Sequence, residues 1–149
     1  MGKKASPIIE VRDLTLSYDD YEVIHGLNFT VNKGDIFIVM GGSGCGKSTL
    51  LKALIGLLAP VKGKVLYEGV SFWEQDEAGQ QALMRRFGVL YQGGALWSSL
   101  SLIENVSLPL ELYTSLKPDQ INEVAGFKLA LVGLSEYADF YPAQLSGGM

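Results

Sequence analysis

The stretch from Gly41 to Thr49 constrains this chain more than any other part of its sequence. It reads GGSGCGKST and fits the pattern G-x-x-x-x-G-K-[ST], which is typical of loops that wrap a triphosphate in backbone N–H groups. An apolar run, residues 36–40, precedes the stretch, and apolar residues at helical spacing follow it. The pattern and its setting therefore predict a strand, a phosphate-binding loop and a helix, in that order.

The residue types in this stretch are those that phosphate binding requires. Glycines leave out the Cβ atoms that would block the backbone N–H groups, and they permit positive φ angles. A helix that begins near Gly46 directs its unpaired N–H groups and positive dipole end at the phosphates. Lys47 places a charge against the β- and γ-phosphates, Ser48 offers a hydroxyl to Mg²⁺, and Thr49 can reach the α-phosphate side. The predicted contacts within the loop are Gly41, Gly42, Ser43, Gly44, Cys45, Gly46, Lys47, Ser48 and Thr49.

Composition excludes several other classes of protein. A length of 149 residues with 48% hydrophobic residues allows one domain with a substantial core. The net charge of −4 gives no support for nucleic-acid binding, which favours a basic surface. Cys45 is the only cysteine, so no internal disulfide can form and a reducing cytoplasm fits. No apolar run approaches the length of a membrane span, and the first residues do not resemble a secretory signal.

Alternating side chains predict an antiparallel β-structure around the loop. Residues 8–17 and 23–31 each alternate apolar and polar side chains and should pair with one another. The alternation changes parity at Arg12-Asp13, which predicts a bulge or a turn in the strand. A tight turn is expected at residues 32–34, and residues 63–67 predict a further short strand.

Two other segments, residues 35–40 and 87–91, are almost continuously apolar. Such runs are typical of strands that are buried on both faces of a sheet. Gln92 stands at the carboxyl end of the second segment, where ligands of α/β sheets gather.

The remaining segments predict helices and connections. Helices are expected after the loop and over residues 80–86, 101–112 and 118–132, with Gly133 as a C-cap. The apolar face of the first helix consists of Leu50, Leu51, Leu54, Leu57 and Leu58. The apolar face of the last consists of Ile121, Val124, Ala125, Leu129 and Val132. The exposed-looking aromatic residues of the polar connection are Phe72 and Trp73, for which packing over a loop is favoured over a binding role.

The order of these features, together with the last five residues, resembles the ATP-binding subunits of ABC transporters along essentially the whole chain. Tyr18 is similar to the A-loop aromatic residue of that family, and residues 41–49 are similar to its Walker A motif. Gln92 is similar to the Q-loop glutamine, and LSGGM, residues 145–149, is similar to the LSGGQ signature. The phrase GLLAPVKGKVLYEG, residues 56–69, also resembles the family.

The resemblance implies roles for residues outside the loop. Tyr18 would stack on adenine with Val23 nearby, although a strand-end aromatic residue packed on Val23 is the alternative. Gln92 would bring its carboxamide to Mg²⁺ and to the attacking water, as a catalytic residue beside Lys47. Ser48 and Gln92 are the implied metal ligands, and the implied cofactors are ATP and Mg²⁺.

The resemblance also implies partners. The signature residues Ser146, Gly147 and Gly148 would open a helix whose N–H groups contact the ATP of a second subunit in a head-to-tail dimer. Transmembrane permease subunits would be further partners, which implies a location at the cytoplasmic, inner face of the cell membrane. Ala95, Leu96, Trp97 and Leu100 either dock that permease or form core of the helical region.

Within the family, two details resemble the lipid-asymmetry (Mla-type) phospholipid transporters. They are GGAL at residues 93–96, directly after Gln92, and Met149 where glutamine is usual. Phospholipid is therefore the transported substrate that the resemblance implies.

The implied fold is an α/β P-loop NTPase of the ABC ATPase type. Residues 1–34 and 63–70 would form an antiparallel β subdomain, and residues 35–58 and 80–92 the P-loop core. Residues 93–149 would form a helical subdomain that ends at the signature motif.

The Walker B strand, catalytic glutamate and switch histidine of the family follow the signature, and none occurs in this sequence. We therefore expect an N-terminal part of an ABC ATPase, with an incomplete core sheet. These 149 residues alone should not hydrolyse ATP and should aggregate or exchange strands. A fragment that binds nucleotide without turnover is the alternative. A kinase or GTPase is disfavoured, since Asn-Lys-x-Asp is absent and LSGGM would be unexplained.

Overall fold

The computed structural model describes residues 7–91 and 93–149 of the chain. Packing divides the chain into two units, Met1–Val89 and Leu90–Met149. The first holds the β-sheet and the glycine-rich loop, and the second is helical. No helix within the described ranges is both long enough and apolar enough to cross a membrane.

The sheet of the first unit is antiparallel and has four strands. The strands are β1 (Pro7–Tyr18), β2 (Tyr21–Asn32), β3 (Lys62–Tyr67) and β4 (Val70–Ser71), in the spatial order β2-β1-β3-β4. The three longer strands confirm those predicted from alternation, and β1 pairs antiparallel with β2 as expected. The tight turn after β2 is also confirmed, because Asp35 N–H donates to Asn32 O at 3.1 Å.

The predicted bulge in β1 is confirmed. The register against β2 shifts between Val11 and Leu14, and Asp13 takes a φ of 47°. Asn28 stabilises this irregular backbone: its Oδ1 accepts from Asp13 N–H at 2.9 Å, and its Nδ2 donates to Asp13 Oδ1 at 2.9 Å. Gly63 is required opposite, because a Cβ there would overlap the Asp13 carbonyl. Because of the bulge, Leu14 faces the same side of the sheet as Val11, three residues earlier. Leu14 is fully buried in the core.

The core of this unit lies between the sheet and α1 (Lys47–Leu54). It contains Val11, Leu14, Leu16, Leu50, Ala53 and Val65. The predicted apolar face of α1 is only partly correct, since Leu51 and Leu57 are 40% and 63% exposed. The helix ends at Leu54, and Gly56 follows with a φ of 76°, so Leu57 does not continue the helical face.

The prediction of a buried strand at residues 35–40 is wrong for this structure. These residues form no strand, and Ile36, Ile38 and Met40 are 92%, 71% and 86% exposed. Phe37, the one aromatic residue in this segment, stacks on Phe29 with ring centroids 4.8 Å apart. A central strand needs neighbouring strands to accept its backbone hydrogen bonds, and the sheet formed by the described residues supplies none.

The prediction of a buried strand at residues 87–91 is wrong for the same reason. No strand forms there, and Leu90 is 91% exposed. The preceding helix is present as α2 (Glu77–Met84), and Asp76 caps it by accepting from Gly79 N–H at 2.8 Å.

Phe72, which looks exposed in the sequence, is among the most deeply buried side chains. Its ring packs edge-on against Tyr67 and Trp73, with centroid distances of 6.2 and 5.0 Å. Gly56 lies over the ring, where a Cβ would overlap it. The interpretation as packing rather than binding is therefore confirmed for Phe72.

The second unit consists of α3 (Leu102–Tyr113) and α4 (Pro118–Leu131), followed by two short 3₁₀ turns at Ser135–Tyr137 and Pro142–Gln144. Both long helices confirm the predicted ones, and Gly133 follows α4 with a φ of 73° as a C-cap requires. The buried side chains of α4 are Ile121, Ala125 and Leu129. Val132, which was expected on the same face, is 67% exposed because it follows the last helical turn.

Candidate functional site

The glycine-rich loop leads directly into α1 and leaves the start of that helix open. The first α-helical hydrogen bond runs from Leu50 N–H to Gly46 O, at 2.8 Å. The N–H groups of Lys47, Ser48 and Thr49 therefore precede the helical ladder and have no helical acceptor. Gly46 has a φ of 94°, a conformation that L side chains rarely adopt. This geometry presents backbone donors together with the positive end of a helix dipole, which is a favourable environment for an anion.

Two glycines of the loop are explained by packing. A Cβ at Gly46 would lie 3.0 Å from Val23 Cγ1, so the missing side chain lets the loop contact β2. A Cβ at Gly41 would overlap Cys45 Sγ. The other two glycines, Gly42 and Gly44, have nothing within 4 Å of the Cβ position, which leaves that side of the loop open to a ligand.

Lys47 holds its ammonium inside the loop. Nζ donates to Gly41 O at 2.8 Å and to Gly42 O at 2.6 Å, and it lies 3.6 Å from Cys45 Sγ. Residues 41–49 contain no carboxylate, so the hydrogen-bond donors of this segment are an ammonium, backbone N–H groups and hydroxyls. Phosphate oxygens are stronger acceptors for an ammonium than neutral carbonyls are, because both partners are then charged. The loop therefore fits a polyphosphate.

Ser48 and Thr49 have different surroundings. Ser48 is exposed, so its hydroxyl is free to approach a bound ion, whereas Thr49 is buried and its hydroxyl contacts Tyr18. The described residues contain no group of three or more His, Cys, Asp or Glu side chains that could hold a metal. Magnesium is commonly held by one or two protein oxygens together with substrate phosphates, so a single hydroxyl from Ser48 fits that ion.

Tyr18, at the end of β1, is joined to α1. Its hydroxyl accepts a hydrogen bond from Lys52 Nζ at 3.1 Å, and the same nitrogen lies 5.4 Å from the ring centroid. Hydrogen bonds from Lys52 and Thr49 hold the pKa of the Tyr18 hydroxyl below its usual range. The ring is 42% exposed, so part of its surface remains open to solvent.

The structure thus brings Tyr18 next to the helix and Val23 next to the loop that follow residue 40. Their contact with nucleotide stays a prediction. Lys52, the hydrogen-bond partner of Tyr18, is not among the residues predicted from the sequence. Its position could have indicated this role, because Lys52 follows Thr49 by three residues and the two side chains therefore lie on one face of α1.

Gln92, the predicted metal-site glutamine, lies outside the described residues. The signature residues Ser146, Gly147 and Gly148 belong to the second unit. In this structure they form a turn in which Met149 N–H donates to Ser146 O at 3.0 Å, and the expectation that they open a helix stays a prediction.

Comparison with known proteins agrees with the geometry of the loop. The family model described as "ABC transporter" matches residues 24–149. Among solved structures, an ATP-binding cassette in a dimeric, post-hydrolysis state bound to ADP and Pi has a TM-score of 0.81 at 26% identity. That similarity covers 94% of this chain and 64% of the other.

Curated relatives include proteins with different transport assignments. MlaF of Haemophilus influenzae, an intermembrane phospholipid transport system ATP-binding protein, is 38% identical over 142 residues, which are 95% of this chain and 54% of that protein. A probable ribonucleotide transport ATP-binding protein, mkl of Mycobacterium bovis, is 38% identical over 95% of this chain and 39% of its own length. The methionine import ATP-binding protein MetN of Brucella abortus is 38% identical over 97% of this chain and 39% of its own length.

The chain therefore spans about half the length, or less, of the curated relatives that it matches. The matched region begins within β2 and includes the glycine-rich loop, Lys47 and the signature residues. With a family model over residues 24–149 and the fold of solved ATP-binding cassettes, this chain belongs to the ABC transporter family.

Proposed function

We propose that the whole protein is the ATP-binding motor subunit of an ABC transporter, an ATPase that couples Mg-ATP binding and hydrolysis to transport. The observation that carries the proposal is the arrangement at the start of α1. There the Lys47 ammonium, the first-turn N–H groups without a helical acceptor and the exposed hydroxyl of Ser48 lie together in a loop that has no carboxylate. Tyr18 adds an aromatic surface that is attached to the same helix.

In this proposal, residues 41–49 bind the phosphates, and Tyr18 with Val23 contacts the adenine. Lys47 exchanges its carbonyl partners for phosphate oxygens, which are charged acceptors. Mg²⁺, when bound, neutralises charge on the β- and γ-phosphates. Ser48 and Gln92 would hold that ion, and Gln92 would also orient the attacking water.

The signature residues serve a second copy of the subunit. We place Ser146, Gly147 and Gly148 against the ATP of that partner in a head-to-tail dimer. Their small side chains leave backbone N–H groups accessible, and the turn at Ser146 has the same glycine-rich composition as the phosphate loop. The similar cassette that was solved as a dimer with ADP and Pi supports a dimeric working form.

Phospholipid is the transported substrate that we propose. MlaF is a phospholipid system protein, and GGAL at residues 93–96 and Met149 resemble that type. The relatives assigned to ribonucleotide and methionine transport have the same 38% identity, so identity alone does not choose among these substrates.

Permease subunits are the proposed membrane partners, with the protein bound to the cytoplasmic face of the membrane. Leu96 and Trp97 are 47% and 63% exposed within this chain, which supports a role in docking. Exposed apolar side chains beside one another are suited to protein contact.

Gln92→Ala should impair ATP turnover more than ATP binding. A neutral amide at the edge of the metal site makes one contact of about 0.5–1.5 kcal/mol with the ground state, so most phosphate contacts should persist. We expect turnover by the full-length subunit with its permease to fall roughly tenfold or more, because a group that positions the reacting water acts in the transition state. Gln81→Ala, an exposed change on α2, is the control. Equal losses of binding and turnover would show that the assigned role is wrong.

A further inference from the structure

The turn that carries Trp97 is fastened to α3 by one side chain, that of Asn105. Asn105 Oδ1 accepts from Trp97 N–H at 2.8 Å. Asn105 Nδ2 lies 3.0 Å from Trp97 O, 3.0 Å from Leu100 O and 2.9 Å from Ser101 O. The turn itself is closed by Leu100 N–H, which donates to Trp97 O at 3.2 Å. A single amide group therefore contacts both ends of the turn.

The orientation of this amide is set by its partners. The NH₂ group faces three carbonyl oxygens and the carbonyl oxygen faces an N–H group, so the opposite orientation would place oxygen against oxygen. The two N–H donors are shared among the three carbonyls. Both the carbonyl oxygen and the NH₂ group of the amide are hydrogen-bonded, which distinguishes Asn105 from a residue that only fills space.

The N-terminus of α3, which follows the turn, is held by hydrogen bonds that do not involve Asn105. Ser101 and Glu104 form a reciprocal capping box, in which Ser101 N–H donates to Glu104 Oε2 at 2.7 Å. That hydrogen bond is the main cause that lowers the pKa of the Glu104 carboxyl. Leu102 N–H and Ile103 N–H donate to the carbonyls of Phe140 and Ala138, each at 2.9 Å. Asn105 thus connects the turn to a helix end whose backbone donors are already satisfied.

The apolar side chains at the start of this turn and directly before it are exposed to solvent, although the backbone of the turn is hydrogen-bonded. Leu96 and Trp97 are exposed, whereas Ser101 and Leu102 are buried at the base of the turn. An exposed apolar contact surface binds more tightly when its backbone is ordered in advance, because less conformational entropy is lost on binding.

We propose that Asn105 is a positioning residue that fixes residues 97–101 before the permease binds, so that Leu96 and Trp97 meet it as a preformed contact. The docking part rests on the proposed function, whereas the order of the turn depends only on the hydrogen bonds of Asn105.

The test uses the full-length subunit with Trp73→Phe, so that Trp97 is the only tryptophan within residues 1–149. Asn105→Ala removes both amide functions, and Asn105→Asp keeps the acceptor for Trp97 N–H but sets an oxygen against three carbonyls. Asn122→Ala, at an exposed position on α4, is the matched control. The measurements are amide hydrogen exchange at Trp97, fluorescence anisotropy of Trp97 and ATPase rate with and without the permease.

In the protein with Asn105 unchanged, the backbone N–H of Trp97 should be protected from hydrogen exchange although the Trp97 side chain is exposed. Both Asn105 variants should exchange this proton roughly tenfold faster or more and show lower Trp97 anisotropy, since the loss of one hydrogen bond and the exposure of its partners releases the turn. Permease-stimulated ATPase should fall at least about fivefold while basal ATPase is unchanged, and Asn122→Ala should change none of these readouts.

An unprotected Trp97 N–H in the unsubstituted protein overturns the proposal without any variant having to fold. Unchanged protection in Asn105→Ala overturns it as well, and so does a released turn with full stimulation by the permease. Failure of the unsubstituted subunit to bind ATP or respond to permease contradicts the proposed function instead. The exchange measurement, made without permease, then still decides whether Asn105 fixes the turn.

Discussion

Lys47→Ala is expected to weaken Mg-ATP binding at least about tenfold, because a charge-assisted hydrogen bond contributes about 1.5–3 kcal/mol. The ammonium lies inside the loop, 2.8 and 2.6 Å from the carbonyls of Gly41 and Gly42. It is held there by neutral acceptors, which a phosphate can replace without loss of a salt bridge. The first-turn N–H groups of α1 remain in the variant, so some binding should persist.

Calorimetric titration of the full-length subunit measures this change. Lys62→Ala, which removes an equal charge from an exposed position on β3, is the matched control and should bind ATP as the unsubstituted protein does. Thermal unfolding should show that Lys47→Ala remains folded. Unchanged affinity in the Lys47 variant would mean that the ammonium does not meet the phosphates.

Phe72→Ala should lower the free energy of unfolding by about 3–5 kcal/mol, the usual cost of removing a large buried aromatic side chain. Phe72 is 1% exposed and packs against Tyr67 and Trp73, with Gly56 over the ring. Gly56 has no side chain that could fill the space left by the ring. A loss of this size is a large share of the roughly 5–15 kcal/mol that stabilises a typical domain.

Denaturant unfolding of the full-length subunit, followed by circular dichroism, measures the Phe72 effect. Tyr21→Ala is the control within the same unit, because Tyr21 is 74% exposed and its removal leaves no cavity. Its free energy of unfolding should change by less than about 0.5 kcal/mol. A loss below about 1 kcal/mol for Phe72→Ala would show that the burial seen here does not describe the protein in solution.

Local features of the fold could be predicted because their causes are local. The parity change at Arg12-Asp13 forces either a bulge or a reversal of every later side chain, and a bulge occurs. Ser101 and Gly133 mark helix ends because capping depends on the chemistry of a few adjacent residues.

Burial of residues 36–40 could not be predicted from their apolar character alone. Hydrophobic side chains favour burial, but they are buried only where neighbouring helices or strands pack against them. In the structure Ile36 and Met40 are open to solvent, since no strand of the described sheet lies beside them. Phe72 shows the converse case, in which a residue within a polar connection is buried by its contacts with Tyr67 and Gly56.

The candidate site was more predictable than the sheet around it. Phosphate chemistry demands glycines, a lysine and a hydroxyl at fixed spacing, so the residues of the loop stand together in sequence. The contacts of Tyr18 with Lys52 and of Gly46 with Val23 join positions that are far apart in sequence. They depend on how β1 and β2 pack against α1, which spacing does not encode.

Titration of the full-length subunit with ATP, ADP and AMP in the presence of Mg²⁺ tests most directly whether the loop at residues 41–49 binds nucleotide through its phosphates. Lys47 and the first-turn N–H groups can form charge-assisted hydrogen bonds only with phosphates that the ligand carries. We predict that ATP and ADP bind and that AMP binds at least about tenfold more weakly, for the loss of one such bond or more. Equal affinity for all three nucleotides, or no binding of ATP, would contradict the assignment.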